Sequence, residues 1–181
     1  VFSRDADFLL SLPALGALSD QGVFCARVKT VYPTLTYPIH ASLITGCFPD
    51  KHGIGHNEPY APHLSPGKRP WYWEEKDIQV ETLFTQAARA GREVATILWP
   101  TTGRSSHIRY NLPEVLALPG ENQMIKVLRY GSAGWLIKNE LRYSKIRRGI
   151  SQPGLDDYST QVALSLIERH AHLPDVLALH L

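Results

Sequence analysis

The chain has 181 residues, 44% hydrophobic and 20% charged, an ordinary globular composition that excludes a disordered chain. Its formal net charge of +2 is too small to argue for a nucleic-acid polymer or a charged membrane surface as partner. No apolar run is long enough to span a bilayer, and the two cysteines, Cys25 and Cys47, are too few for a disulfide scaffold.

Val1 to Asp5 reads as the loop after a first strand that precedes the chain. It lacks a basic segment followed by an apolar stretch, so no signal peptide is visible; the missing initiator Met leaves an upstream one open. Phe8 to Leu18 predicts a short helix interrupted at Pro13. Val23 to Thr30, with β-branched and aromatic residues, predicts a strand. Cys25 lies in that run, so two free thiols, one of them buried, are expected, which favours a reducing compartment, and with no signal peptide visible a cytoplasmic location is the expectation.

Pro38 suits the first turn of a helix, where no N–H is required. That helix should run to about Thr45 and stop at Gly46. From 48 to 75 a series of prolines and glycines predicts a long loop. Leu83, Phe84, Ala87, Ala88 and Ala90 then make one apolar helical face closed by Gly91. Glu93 to Trp99 reads as a buried strand, and helix, glycine, strand is the rhythm of an α/β sheet.

After a loop through Pro113, helices are expected over about Asn122–Arg129, Ala133–Arg147 and Leu155–His172, the last with Val162, Leu164, Leu166 and Ile167 on its apolar side. Val176 to Leu181 is an apolar strand in which the chain stops. Ligands in open α/β sheets bind outside the carboxyl ends of strands. Residues beyond this strand are therefore expected to belong to the site, and both edges of the chain read as cut.

The segment from Tyr32 to Asn57, YPTLTYPIHASLITGCFPDKHGIGHN, carries the chemistry. Thr36 stands at the predicted helix start, beside free backbone N–H groups and the positive end of the helix dipole. Such a place binds phosphate. A threonine hydroxyl is a poor nucleophile unless a base or a metal ion draws off its proton. The plain alternative is that Thr36 or Thr34 caps the helix.

This run resembles the nucleophile region of nucleotide pyrophosphatases/phosphodiesterases of the alkaline phosphatase superfamily: P-T-K/L-T-F/Y-P-N-H, then T-G with an aromatic and Pro, then H-G-I and an Asn. Trp99-Pro100 resembles that family's W-P-G, with Thr101 in place of the glycine. Pro174 to His180 resembles the strand leading to its next metal motif. Ile39 stands where many members have Asn, and Leu35 where many have Lys, which leaves substrate preference open.

The resemblance implies an α/β, alkaline-phosphatase-like fold with a mainly parallel sheet between helices, residues 1–181 being the N-terminal part of one catalytic domain. It implies Thr36 as nucleophile and metal ligand, Asn57 as a phosphate-binding residue, and two divalent ions, commonly zinc. The substrate implied is a small nucleotide-like phosphodiester or pyrophosphate. The other ligands of the family, three Asp and three His, fall outside these residues, so the 181-residue chain alone is expected to bind metal weakly and to be inactive. A phosphomonoesterase or phosphonate hydrolase of the same superfamily, or a non-catalytic binding relative, are the alternatives.

Other candidates have plainer readings. His40, His52, His56 and His63 fit no compact zinc spacing, and His52 in H-G-I resembles a structural turn residue. Asp156-Asp157 suits the first turn of a helix and Arg142, Lys145, Arg147 and Arg148 a solvated helix end. Trp71-Tyr72-Trp73 is a choice between stacking on a substrate and anchoring the loop.

Overall fold

A computed structural model of the chain describes residues 3–65, 67–146, 151, 153–169 and 173–181. It divides into two compact units, Val1–Thr30 and Val31–Leu181.

In the first unit Ser3–Asp5 is a 3-10 turn rather than a loop, followed by α1 (Ala6–Ser11) and α2 (Pro13–Gln21). The interruption falls where expected. Leu12 is extended, at ψ 131°, because the ring of Pro13 crowds the helical region for the residue before it. The expected strand over 23–30 is not formed; the segment has no regular structure. Strand propensity measures fit to a pleated surface, and a strand exists only where a neighbour takes its N–H and C=O groups. Both cysteines are free, but neither is buried: Cys25 is exposed and Cys47 half-buried.

The second unit is built on three parallel strands, β1 (Val94–Ile97), β2 (Tyr110–Leu112) and β3 (Val176–Leu179), in the order β2-β1-β3. Ala95 pairs with Tyr110 on one side and Leu177 on the other. The parallel sheet agrees with the α/β expectation. β2 was not foreseen, because it has three residues, one of them Asn111, and ends against Pro113.

Six helices accompany the sheet among the described residues: α3 (Thr36–Thr45), α4 (Pro49–His52), α5 (Leu83–Arg89), α6 (Gln123–Tyr130), α7 (Ala133–Tyr143) and α8 (Gly154–Arg169). Gly46 ends α3 at φ 66° and Gly91 follows α5 at φ 71°, the left-handed conformation that glycine adopts without a Cβ penalty. Within the expected loop over 48–75, Pro49 opens the single turn α4. α7 stops at Tyr143, short of the expected end; residue 147, like 170–172 beyond α8, lies outside the described residues.

β1 is buried in all four residues, as a parallel strand covered on both faces must be. On one face Val94 joins Tyr37, Ala41 and Ile44 of α3, Phe84 of α5, and Ile54, Trp73 and Ile78. On the other, Ala95 and Ile97 join Leu136 of α7 and Tyr158, Val162 and Leu166 of α8. Burying one such side chain stabilises by about 2 kcal/mol. Leu164 and Ile167, expected on the inner side of α8, are 38% and 48% exposed. The buried residues Tyr158, Val162 and Leu166 recur every four positions, and 164 and 167 fall off that stripe.

Candidate active site

The start of α3 lies at the carboxyl edge of the sheet. Its His40 ring packs edge-on against Trp99, just past β1, with centroids 4.9 Å apart. It also lies 4.5 Å from the ring of His180, just past β3. The Tyr37 hydroxyl donates to the Glu114 carbonyl, just past β2, at 3.2 Å. Residues following all three strands therefore touch this helix.

Leu35 is the N-cap, extended at φ −116° and ψ 153°, and no side chain caps α3. Neither Thr34 nor Thr36 acts as the cap. Among the described residues no hydrogen bond occupies the Thr36 hydroxyl.

The unpaired N–H groups of a helix start can be followed one by one. Leu35 N–H donates to Pro33 O at 2.9 Å. Tyr37 N–H donates to Asn57 Oδ1 at 3.0 Å. Pro38 has no N–H, and Ile39 N–H donates to Leu35 O at 3.1 Å. The Thr36 N–H is the donor left open, beside its own hydroxyl.

The structure thus brings Asn57 to the helix tip that carries Thr36. Because Asn57 Oδ1 accepts the Tyr37 N–H, its Nδ2 donors remain for another partner. Asn57 is held from a second side, its carbonyl accepting the Tyr72 N–H at 3.0 Å. The site then presents three donors around the helix tip: the Thr36 hydroxyl, the Thr36 N–H and the Asn57 amide. With the helix dipole behind them, these groups suit an anion.

His40 Nδ1 lies 2.8 Å from Thr36 O; a carbonyl only accepts, so Nδ1 carries the proton. Burial holds the His40 pKa below its ordinary value, against the pull of that hydrogen bond. His52 is fully buried. Its Nδ1 accepts the Ile54 N–H at 3.1 Å, so Nε2 carries the proton and donates to Ser42 Oγ at 2.9 Å. Burial lowers its pKa as well. His52 is therefore a structural turn residue.

His56 Nδ1 accepts the Glu58 N–H, and His63 is exposed. Among the described residues no group of three His, Cys, Asp or Glu is placed to hold a metal ion. In the aromatic cluster, Trp71 meets Tyr37 edge-on at 5.4 Å and Trp73 meets Tyr130 at 6.2 Å, while Lys126 sits over the Trp73 ring. These rings anchor the loop. Asp156 and Asp157 lie in the first turn of α8, and Arg142 stacks on Tyr143 at the end of α7; Arg147 and Arg148 lie outside the described residues.

Two features were not foreseen. Thr101, where the resemblance calls for glycine, adopts φ 56°. It is buried, and its Oγ1 has no hydrogen-bond partner. A β-branched residue in the left-handed region is a strained one. Glu114 has a buried Oε2 without a partner, and burial raises its pKa to about 7. It lines a cavity of about 530 Å³ with Leu98, Leu112, Met124, Tyr158 and His180. Neither Thr36 nor Asn57 lines that cavity.

The sequence profile described as type I phosphodiesterase / nucleotide pyrophosphatase matches residues 4–180. Human ectonucleotide pyrophosphatase/phosphodiesterase family member 1 is 28% identical over 127 residues, 66% of this chain and 14% of that protein. Human bis(5'-adenosyl)-triphosphatase ENPP4 is 33% identical over 110 residues, 56% of this chain and 24% of that protein. The chain thus spans less than a quarter of either relative's length.

Proposed function

The chain belongs to the type I phosphodiesterase / nucleotide pyrophosphatase family, and on that premise we propose that its protein hydrolyses phosphodiester or pyrophosphate bonds in small nucleotide-like substrates, with Thr36 as nucleophile. The observation that supports this most is the meeting of the open Thr36 hydroxyl, the open Thr36 N–H and the tethered Asn57 amide at one helix tip. The names of the relatives, which act on nucleotides and a dinucleoside triphosphate, support the substrate class.

In this reading the Thr36 oxygen attacks phosphorus as the phosphorus–oxygen bond to the leaving group breaks, giving a phosphothreonine. Water then cleaves that ester and restores the hydroxyl. Charge gathers on the non-bridging oxygens, and the Thr36 N–H and the Asn57 Nδ2 donate to them. Donors fixed in advance cost no reorganisation when the charge develops. Tyr37 contributes through its backbone, holding Asn57 in place.

The hydroxyl must lose its proton, and no titratable side chain among the described residues makes a hydrogen bond to it. The family is metal-dependent; divalent ions, zinc in our reading and two in number, supply positive charge that lowers the pKa of such an oxygen. The described residues offer Thr36 as one ligand and no cluster that completes a metal centre.

The test is a Thr36→Ala variant of the whole protein, assayed on a nitrophenyl phosphodiester with zinc present. Turnover should disappear while the circular dichroism spectrum and Tm stay unchanged. An active variant refutes the assignment of the nucleophile. A panel of mono- and diesters separates a diesterase from a phosphomonoesterase of the same superfamily.

A further inference from the structure

We propose that His52, resting on the reading of Thr36 and Asn57 above, is a positioning residue: its neutral ring clasps the turn that carries Asn57 onto α3 and so sets the Asn57 amide against the Thr36 hydroxyl. The ring sits between two elements. Its Nε2–H donates to Ser42 Oγ on α3 at 2.9 Å, and its Nδ1 accepts from Ile54, three residues before Asn57, at 3.1 Å. Its backbone carbonyl accepts the Gln79 N–H at 3.1 Å.

The turn is built around this clasp. Gly53 adopts φ 80°, and a Cβ there would lie 2.6 Å from the Gln79 side chain, so the polypeptide closes on itself at this point. Ile54 is fully buried in the same core as Tyr37 and Ala41. From Ile54 the chain needs Gly55 and His56 to reach Asn57, whose Oδ1 then takes the Tyr37 N–H. The clasp works in one protonation state: a proton on Nδ1 removes the acceptor for Ile54. Ser42, Ile54 and Gln79, which meet His52 from neighbouring segments, are uncharged; Asp50, on α4 itself, is the charge that acts on it.

Hydrogen exchange at the Tyr37 amide, read by NMR, tests the clasp without any assay of turnover. His52→Ala should speed exchange at Tyr37 and Ile54 by about tenfold, the scale of one lost hydrogen bond. The Leu98 amide, bonded to Leu112 O across the sheet, should keep its protection. His52→Asn, which places an acceptor where Nδ1 sits, should restore most of the protection at Ile54 and Tyr37. If His52→Ala unfolds the chain, seen as equal loss at Leu98, then Ser42→Ala carries the test, since it removes the acceptor alone. Unchanged exchange at Tyr37 in the folded variant overturns the proposal.

In the whole protein, His52→Ala and Asn57→Ala should each lower kcat/KM, and the double variant should be no worse than Asn57→Ala, because residues acting through one another are not additive. Additive losses also overturn the proposal. A failure of the nucleophile reading looks different: Thr36→Ala would stay active, and the exchange result would stand.

Discussion

The backbone N–H of Tyr37 donates to Asn57 Oδ1 across 3.0 Å, so the residue after the proposed nucleophile holds the proposed phosphate-binding side chain. Only the oxygen of the Asn57 amide is used by the fold. Asn57→Asp should keep that acceptor, and a carboxylate near a helix start is favoured by the dipole. Stability should therefore hold or rise. The substitution removes the Nδ2 donors and sets a negative charge beside an anionic substrate. Losing one such donor costs about a hundredfold to a thousandfold in rate. Expected is a loss of kcat/KM of at least that size at a Tm no lower than wild type; an active variant of at least that stability removes Asn57 from the mechanism.

Thr101 marks the second prediction. Its φ of 56° and its unpartnered, buried Oγ1 are two costs at one position, each about 1–3 kcal/mol. Thr101→Gly removes both, and gives up a buried methyl and some unfolded-state stiffness, about 1 kcal/mol each. A net gain of about 1 kcal/mol is expected, visible as a higher denaturation midpoint. A lower midpoint would mean that the packing of the Thr101 side chain outweighs its strain.

Much of this fold is legible in the residues because local chemistry decides it. Pro38 and Gly46 bracket α3, Gly91 closes α5, and the apolar runs at 94–97 and 176–179 are strands. The misses are long-range. Val23 to Thr30 has strand composition but no ladder, and β2 has a ladder but hardly any strand composition. Thr36 and Asn57 could be named from the resemblance, yet nothing in the spacing says that Asn57 reaches back 20 residues to the Tyr37 N–H. The residues alone also allow Thr36 to cap the helix, and only the fold gives the N-cap to Leu35. The strain at Thr101 was visible only as a departure from glycine.

The pH dependence of stability should show two opposing contributions. His40 and His52 have pKa values lowered by burial. Below the ordinary value of 6.5 the unfolded chain gains protons that the folded one refuses, so stability falls as pH falls through that point. Glu114 is raised from 4.5 to about 7 by burial. Between those values the folded chain keeps a proton that the unfolded chain has lost, so stability falls as pH rises. Glu114→Gln cancels the second contribution. Its advantage over wild type in urea midpoints should grow from pH 4.5 to 7 and then level off, with an upper limit on the order of 3 kcal/mol. A constant difference across that range would show that Glu114 is charged in the fold.

Asn111 holds the segment that brings Trp99 to His40. Its Oδ1 accepts from Thr96 Oγ1 at 3.0 Å and from Thr102 Oγ1 at 3.3 Å, and its Nδ2 donates to Thr102 O at 2.6 Å. All three residues are buried. Every polar atom of that side chain is satisfied, and the network ties β2 to β1 and to the turn after it. Asn111→Ala would leave the Thr96 hydroxyl without its acceptor and the Thr102 carbonyl without this donor, while opening a small cavity. A buried group stripped of its partner costs about 1–3 kcal/mol, so a total loss of about 3 kcal/mol or more is expected. Asn111→Asp keeps the acceptor and sets a carboxylate against the Thr102 carbonyl, which should cost as much by a different route. If either variant unfolds at the wild-type midpoint, the network is not what fixes the turn, and the placement of Trp99 against His40 must rest on the packing of Phe84 and Trp99.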